Sequence, residues 1–280
     1  MSRLGRAWAR LRHDRKAVGS LIVVALLLVV AALGPALAPH DPTAQDFDIL
    51  QPPSLEHLMG TDSLGRDVLS RVIAGARVSA MVGLGVALIG MVIGVTLGLL
   101  AGFFGGWIDD VISRYVDVQW AFPELILAIA LISVFGIGVE KVIIAIAFAY
   151  VDDFARLARA EALRLKEEEF VLAARVTGMS WRGIIGAEIL PNAVGPIVVQ
   201  ATIAVGLGIL GEATLTFLGL GVDPSTPTWG LVLEESRDFF QQAWWLSIFP
   251  GLAIVVTVLS LNLLGDSLRD AIDVRSIEAA

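Results

Sequence analysis

Apolar residues run through this chain in long, unbroken stretches rather than in alternation. Between Val18 and Ala38 the only polar side chain is Ser20, and between Val78 and Phe104 only Ser79 and Thr96 interrupt. Comparable runs cover Trp120–Val139, Val142–Arg159, Ala193–Leu220 and Trp244–Leu264. A helix crossing a bilayer needs about 20 mostly apolar residues, so the pattern predicts six transmembrane helices in an all-α integral membrane protein. Membrane strands would alternate apolar and polar positions, and these runs do not. The first run also mimics a secretory leader, with a basic start and an Ala36-Leu37-Ala38 triplet. Leader cores are about 7–15 residues long, so a retained helix is the expectation.

The polar stretches between the runs are unequal. Residues 39–77 and 221–243 form long segments with Pro39, Pro42, Pro52, Pro53, Gly60, Gly65, Pro224 and Pro227 as turn formers. The stretch from Glu161 to Arg182 carries eight charged side chains. At about 2.5–3.5 kcal/mol for each charge at a bilayer centre, it must lie in water. Glu161–Ala174 holds helix formers with no Gly or Pro, so a helix is expected there, with Phe170, Ala173 and Ala174 as a small apolar face. Gly178 then supplies a turn, and Pro191 suits the start of the next span. Such a helix is either a solvated loop or an element offered to a partner.

Composition agrees with this pattern. Of 280 residues 56% are apolar and 17% charged, cysteine is absent, and 20 basic residues face 28 acidic ones; mean hydropathy is +0.78. A soluble enzyme, a thiolate metal site and a nucleic-acid partner are all disfavoured. With the N-terminus inside, 15 Lys and Arg residues fall on the inner side and five on the outer, which predicts cytoplasmic N- and C-termini. Leu4, Trp8 and Leu11 share one face of a basic N-terminal segment expected to lie along membrane lipid. Trp107, Trp120, Trp244 and Trp245 fall near span ends, as interfacial anchors do.

Candidate chemistry is sparse. No lysine follows a glycine, so the chain has no phosphate-binding loop of its own. Gly206-x-Gly208-x-x-Gly211 matches a dinucleotide fingerprint but sits in an apolar span, where helix packing is the expected role. His13, His40 and His57 lie far apart in sequence, and no metal site is expected. Gly90, Gly94, Gly98 and Gly102 recur every four residues and place one smooth stripe on a helix face, suited to close packing. Asp152 and Asp153 follow ten apolar residues, about 15 Å of helix, which sets them near mid-membrane. There they either pair with Arg156 or line a translocation path, where one could meet a peptide ammonium group. Glu212 is a second intramembrane carboxylate. Asp62, Arg66, Asp67 and Glu212 are candidates for an outer gate or a contact with a docking protein, with turn formation and pairing as the structural alternatives.

Four segments carry a family resemblance. Ala173-Ala174, Gly178 and Leu190-Pro191 keep the spacing of the cytoplasmic "EAA" loop of ABC importer permeases, with Leu172 in its Glu slot and Glu188 in its Ile slot. The stretch from His57 to Asp67 (containing Gly60-Thr61-Asp62 and Gly65-Arg66-Asp67), the stretch Phe217–Gly230 and the stretch Asn262–Asp270 resemble signatures of the dipeptide, oligopeptide and nickel branch, C-type subunit. The resemblance implies a MetI-like permease core with an extra N-terminal helix. Residues 1–75 would hold the basic segment, first span and outer loop, 76–268 the core with its coupling loop at 161–191, and 269–280 a cytoplasmic tail. It implies a multi-pass protein of the bacterial inner membrane that carries short peptides. Nickel chelates, opines and oligosaccharides are alternative cargo. The implied partners are a B-type permease in a heterodimer, two ATPase subunits and an extracytoplasmic substrate-binding protein. This chain would carry no cofactor, ATP and Mg residing on the ATPases. Phe170, Ala173, Ala174, Gly178, Met179, Leu190 and Pro191 would form the ATPase-coupling site. An ion-driven secondary transporter is the rival of another class, but it should show repeated halves with interrupted spans, and none is found; a membrane signalling subunit is a further rival.

Overall fold

The computed structural model describes residues 11–12 and 14–272, and among these the regular structure is helical. The basic amphipathic segment expected ahead of the first span, and the tail beyond residue 272, lie outside the described residues. Helix α1 (Arg15–Leu37) starts at Asp14, whose side chain accepts from the Lys16 amide at 2.9 Å. Ser267 near the chain's end donates to the same carboxylate at 3.1 Å, so the two ends of the described chain meet. Helix α2 (Val68–Phe104) has 37 residues and is capped by Asp67, which accepts from the Ser70 amide at 2.8 Å. It begins ten residues before the apolar run Val78–Phe104, because the polar residues of its first turns are buried against the preceding loop.

Next come α3 (Gly106–Trp120) and α4 (Glu124–Phe135), which meet at 91°. Pro123 sits at the corner and disfavours helical geometry in the residue before it. Helices α5 (Val139–Ala149) and α6 (Val151–Leu165) are separated at Tyr150. Helix α7 (Glu169–Val176) is short, and α8 runs from Trp181 to Phe217. Helices α9 (Trp229–Phe239) and α10 (Trp245–Ile272) complete the order.

Among the described residues, four helices are long and apolar enough to cross a membrane, five if the bent α3–α4 pair is one span. The expected count of six is therefore not reached by length and composition. The run Val142–Arg159 is divided between α5 and α6, and Asp152, Asp153, Arg156 and Arg159 lower its apolar content. The helix expected over Glu161–Ala174 is likewise two helices, with a turn at Lys166–Glu168 between α6 and α7. Pro191 stands in the first turn of the α-helical part of α8, Leu190–Phe217, as expected of a starting residue, and a π-helical stretch at Ile184–Ile189 extends the span back to Trp181. A wider turn of this kind accommodates a residue that cannot donate to the ladder.

Helices α2 and α8 form the centre, and three apolar clusters surround them. One joins α2, α6, α7 and α8 around Phe154 and Ile189; a second joins the start of α2 to α8, α9 and α10 around Trp229 and Leu246; the third joins α2, α4, α5 and α8 around Ile132 and Ile146. Lipid is as apolar as leucine, so close packing rather than exclusion from water must hold such helices together. The glycine stripe serves that need. A Cβ on Gly94 would meet Phe154 Cβ at 2.5 Å, one on Gly98 would meet Ala158 Cβ at 2.8 Å, and one on Gly102 would meet Ala162 Cβ at 2.7 Å. Gly90 is looser, 3.4 Å from the Phe154 ring. The stripe thus seats α6 directly on the backbone of α2. Gly208 lies in the same kind of seam, where a Cβ would come 3.1 Å from the Cα of Gly83.

Candidate functional site

The structure separates the candidate residues into three places: the exposed α7 corner, a closed polar core beneath the long loop 38–67, and a crevice at the α3–α4 bend.

At the corner, Lys166 ends α6 and its Nζ donates to the Gly102 carbonyl at 3.1 Å. Helix α7 then turns Val171 and Ala174 inward, into the cluster with Ile184 and Ile189 of α8. Its end is a Schellman motif: the Met179 amide donates to the Ala174 carbonyl at 3.1 Å, and the Gly178 amide donates to the Arg175 carbonyl at 3.0 Å. Gly178 has φ +78°, a left-handed conformation that costs an L-residue about 1–2 kcal/mol. The apolar face expected from Phe170, Ala173 and Ala174 is split, since Ala174 is buried while Phe170 and Ala173 are exposed. Leu172, Ala173 and Val176 form the outward stripe instead, with Val176 89% exposed. Their i, i+1, i+4 spacing was the signal that an inventory of small residues missed. Met179 and Trp181 continue this exposed apolar surface, and Trp181 packs edge-on against Phe104 at the end of α2. Leu190 and Pro191 are exposed but lie further along α8, apart from the corner.

Under the long loop, the charges close on one another. Asp62 accepts from Arg66 Nε at 2.7 Å and from Arg71 at 2.5 Å, and both arginines also reach Glu235 of α9 at 2.5–2.9 Å. Two carboxylates and two guanidinium groups therefore balance. Asp67 divides its oxygens between the α2 cap and the His57 ring, 3.0 Å away. Trp245 is buried rather than interfacial, and its indole N–H donates to the Thr61 carbonyl at 3.0 Å. Gly60 (φ +77°) cannot carry a Cβ here, because the atom would lie 2.7 Å from the Trp245 indole nitrogen. Glu212 in α8 is fully buried and accepts from Thr216 at 2.9 Å, with Ser79 at 3.4 Å. Asp62, Arg66, Asp67 and Glu212 are all buried, so direct contact with a docking protein would fall to exposed neighbours such as Ile49, Leu55 and Leu58. His40 and His57, distant in sequence and not expected to form a metal site, come together: with Asp67 they present ligand-type atoms within 4.8 Å of one another. Both Asp67 oxygens are already engaged there by His57 and Ser70.

At the bend, Asp152 and Asp153 part company. Asp152 is 3% exposed, whereas Asp153 is half-buried. Arg156 bonds Asp153 at 2.8 Å and stands 3.9 Å from Asp152, so the nearer partner is not the buried carboxylate. The guanidinium also stacks on Trp120, 3.6 Å from the ring centroid. Near its middle, helix α6 is fixed to the start of α3 by Arg159, which bonds Asp109 at 2.5 and 2.7 Å.

Comparison with known proteins places this architecture. Residues 94–277 match the family described as binding-protein-dependent transport system inner membrane component, and residues 2–53 match the N-terminal TM domain of oligopeptide transport permease C. The chain is 42% identical to the dipeptide transport system permease protein DppC of Alkalihalophilus pseudofirmus, over 95% of this chain and 88% of that one. It is 41% identical to the di/tripeptide transport system permease protein DppC of Pseudomonas aeruginosa, over 98% and 92%. It is 48% identical to the glutathione transport system permease protein GsiD of Shigella flexneri, over 95% and 88%. Among solved structures, an inward-facing form of the MetNI methionine ABC transporter aligns with TM-score 0.60 at 19% identity, over 72% of this chain and 96% of that one, a likeness of fold. A closely packed helical bundle, a family match over most of its length and relatives aligned nearly end to end lead to one statement: the chain belongs to the inner membrane components of binding-protein-dependent transport systems, as an ABC importer permease subunit.

Proposed function

We propose that this subunit forms half of the path by which short peptides cross the inner membrane, and that the α7 corner is where ATP hydrolysis on separate subunits reaches it. The observation that carries the coupling role is the two-sided α7. One face is packed into α8, and the other presents Leu172, Ala173 and Val176 to solvent outside the apolar spans. A rigid helix seated this firmly transmits a push from a partner into α6 and α8. Phe170 and Met179 flank that face, Ala174 seats it and Gly178 sets its angle; Leu190 and Pro191 receive the motion along α8. The charge count sets both termini and α7 on the cytoplasmic side, and the Ser267–Asp14 bond between the two chain ends agrees with a shared side.

The cargo reading rests on relatives named for dipeptides, di/tripeptides and glutathione. A B-type permease would complete the path, and a substrate-binding protein would dock on the side of the long loop, where Leu55 is 99% exposed. The test is reconstitution with these partners. Val176→Asp should release the ATPase subunits on co-purification and abolish uptake of a labelled dipeptide, while the partner permease stays bound. Retained ATPases and unchanged uptake would overturn the coupling role of α7. Uptake by vesicles lacking ATPases would support an ion-driven carrier instead.

A further inference from the structure

We propose that the crevice at the α3–α4 bend is a subsite for a cationic nitrogen, the α-ammonium group of the transported peptide, held by Gln119, Glu124 and Asp152. This rests on the peptide reading above and names the contact that the cargo makes inside this subunit.

The 91° bend at Ala121–Pro123 leaves a cavity of about 310 Å³ between the bend and the α5–α6 junction, lined by Gln119, Glu124 and Asp152 together with Trp120 and Phe122. Glu124 also lines an adjoining cavity of about 150 Å³ toward α8, so it stands where the two meet. Gln119 is only 6% exposed, and its amide nitrogen is committed to the Phe148 carbonyl. Its Oε1 is left buried with no hydrogen-bond partner among the described residues. A buried acceptor without a donor is costly, and native proteins leave few of them.

The charges around this acceptor do not balance. Glu124, Asp152 and Asp153 supply three carboxylates, and among the described residues Arg156 is the one guanidinium paired with any of them. That guanidinium is engaged by Asp153 and by the face of Trp120. Glu124 forms no ion pair among the described residues, its side-chain partner being the neutral Tyr150 hydroxyl, and Asp152 has only the 3.9 Å approach of Arg156. Three acceptors with surplus negative charge face one space. An ammonium group offers three N–H donors and one positive charge, so it satisfies the acceptors and the charge together. A cavity of this volume receives the end of a peptide and not a whole one. One open side, at exposed Glu124, lets the cargo leave.

The experiment uses the complete importer in proteoliposomes with loaded binding protein, and reads dipeptide uptake per ATP hydrolysed. Asp152→Asn and Glu124→Gln preserve shape and remove charge. Each should lower the ratio about tenfold, the effect of losing one charge-assisted hydrogen bond. Glu140→Gln, an exposed carboxylate at the start of α5, should leave it unchanged. Should Asp152→Asn fail to fold, exposed Glu124→Gln still decides the matter. An unchanged ratio in the folded variants overturns the subsite. So does a loss that tracks loss of the co-purified partner permease, which would make the occupant a basic side chain of that subunit. No uptake by the unaltered importer would overturn the peptide reading itself.

Discussion

Two groups of charge, each centred on a buried aspartate, lie within this bundle, and they are built on opposite terms. Beneath the long loop, Asp62, Arg66, Arg71 and Glu235 form a closed set in which every charge meets an opposite one at 2.5–2.9 Å. At the bend, Asp152 and Asp153 share one guanidinium, Glu124 has none, and a neighbouring amide oxygen has no partner among the described residues. The first set ties the loop and α2 to α9, three segments far apart in sequence. The second ties little together and borders open space. Burying charge is expensive in both places, but only the first recovers that cost within the chain. A closed set is architecture, and an open one is prepared for something that arrives.

That contrast can be broken at four points. Arg71→Ala should have the largest effect, because it leaves buried Asp62 and half-buried Glu235 to share Arg66 alone; breaking a buried pair costs about 3–5 kcal/mol. Thermal unfolding of the purified subunit would show it, and a variant as stable as the parent would mean that the closed set is not structural. Gly98→Ala comes next. Its Cβ would press on Ala158 and force α6 away from α2, at about 1–3 kcal/mol for overpacking. Because α6 carries Asp152, transport should fall along with stability, and a loss of stability with intact transport would separate the seam from the path. Gly178→Ala should cost about 1–2 kcal/mol through its left-handed backbone, read as weaker retention of the ATPase subunits. Asp152→Asn should have the smallest effect on stability and one of opposite sign, a gain near the lower end of the ~0.5–2 kcal/mol typical of stabilising changes. A clear loss of stability there would make the bend a second closed set.

Much of the architecture is legible in the residues alone. Apolar runs too long for a soluble core marked the spans, and four glycines in one register marked the α2 face that α6 would occupy. Gly178 after a run of helix formers marked the end of α7. The readings that failed did so for a common reason. Ala173 and Ala174 look alike in sequence, yet neighbours on a helix point 100° apart, and only the position of α8 decides which is inside. Pro191 does open the α-helix Leu190–Phe217, but nothing in the residues announces the π-helical stretch that extends the span back to Trp181. His40 and His57 are 17 positions apart, and the loop folds their rings to a centroid distance of 5.4 Å.

What the sequence determined by itself was the solvent: where the chain prefers lipid, where it must return to water, and which helix face is smooth enough to be packed. These follow from transfer free energies and side-chain size, which belong to each residue. What only the tertiary structure decided was which charges are answered. Glu235 lies 164 residues beyond Arg71 and neutralises it, while Gln119, Glu124 and Asp152 converge because one helix bends at Pro123 and another breaks at Tyr150. Electrostatic balance depends on distance through space, and no spacing along the chain carries that information.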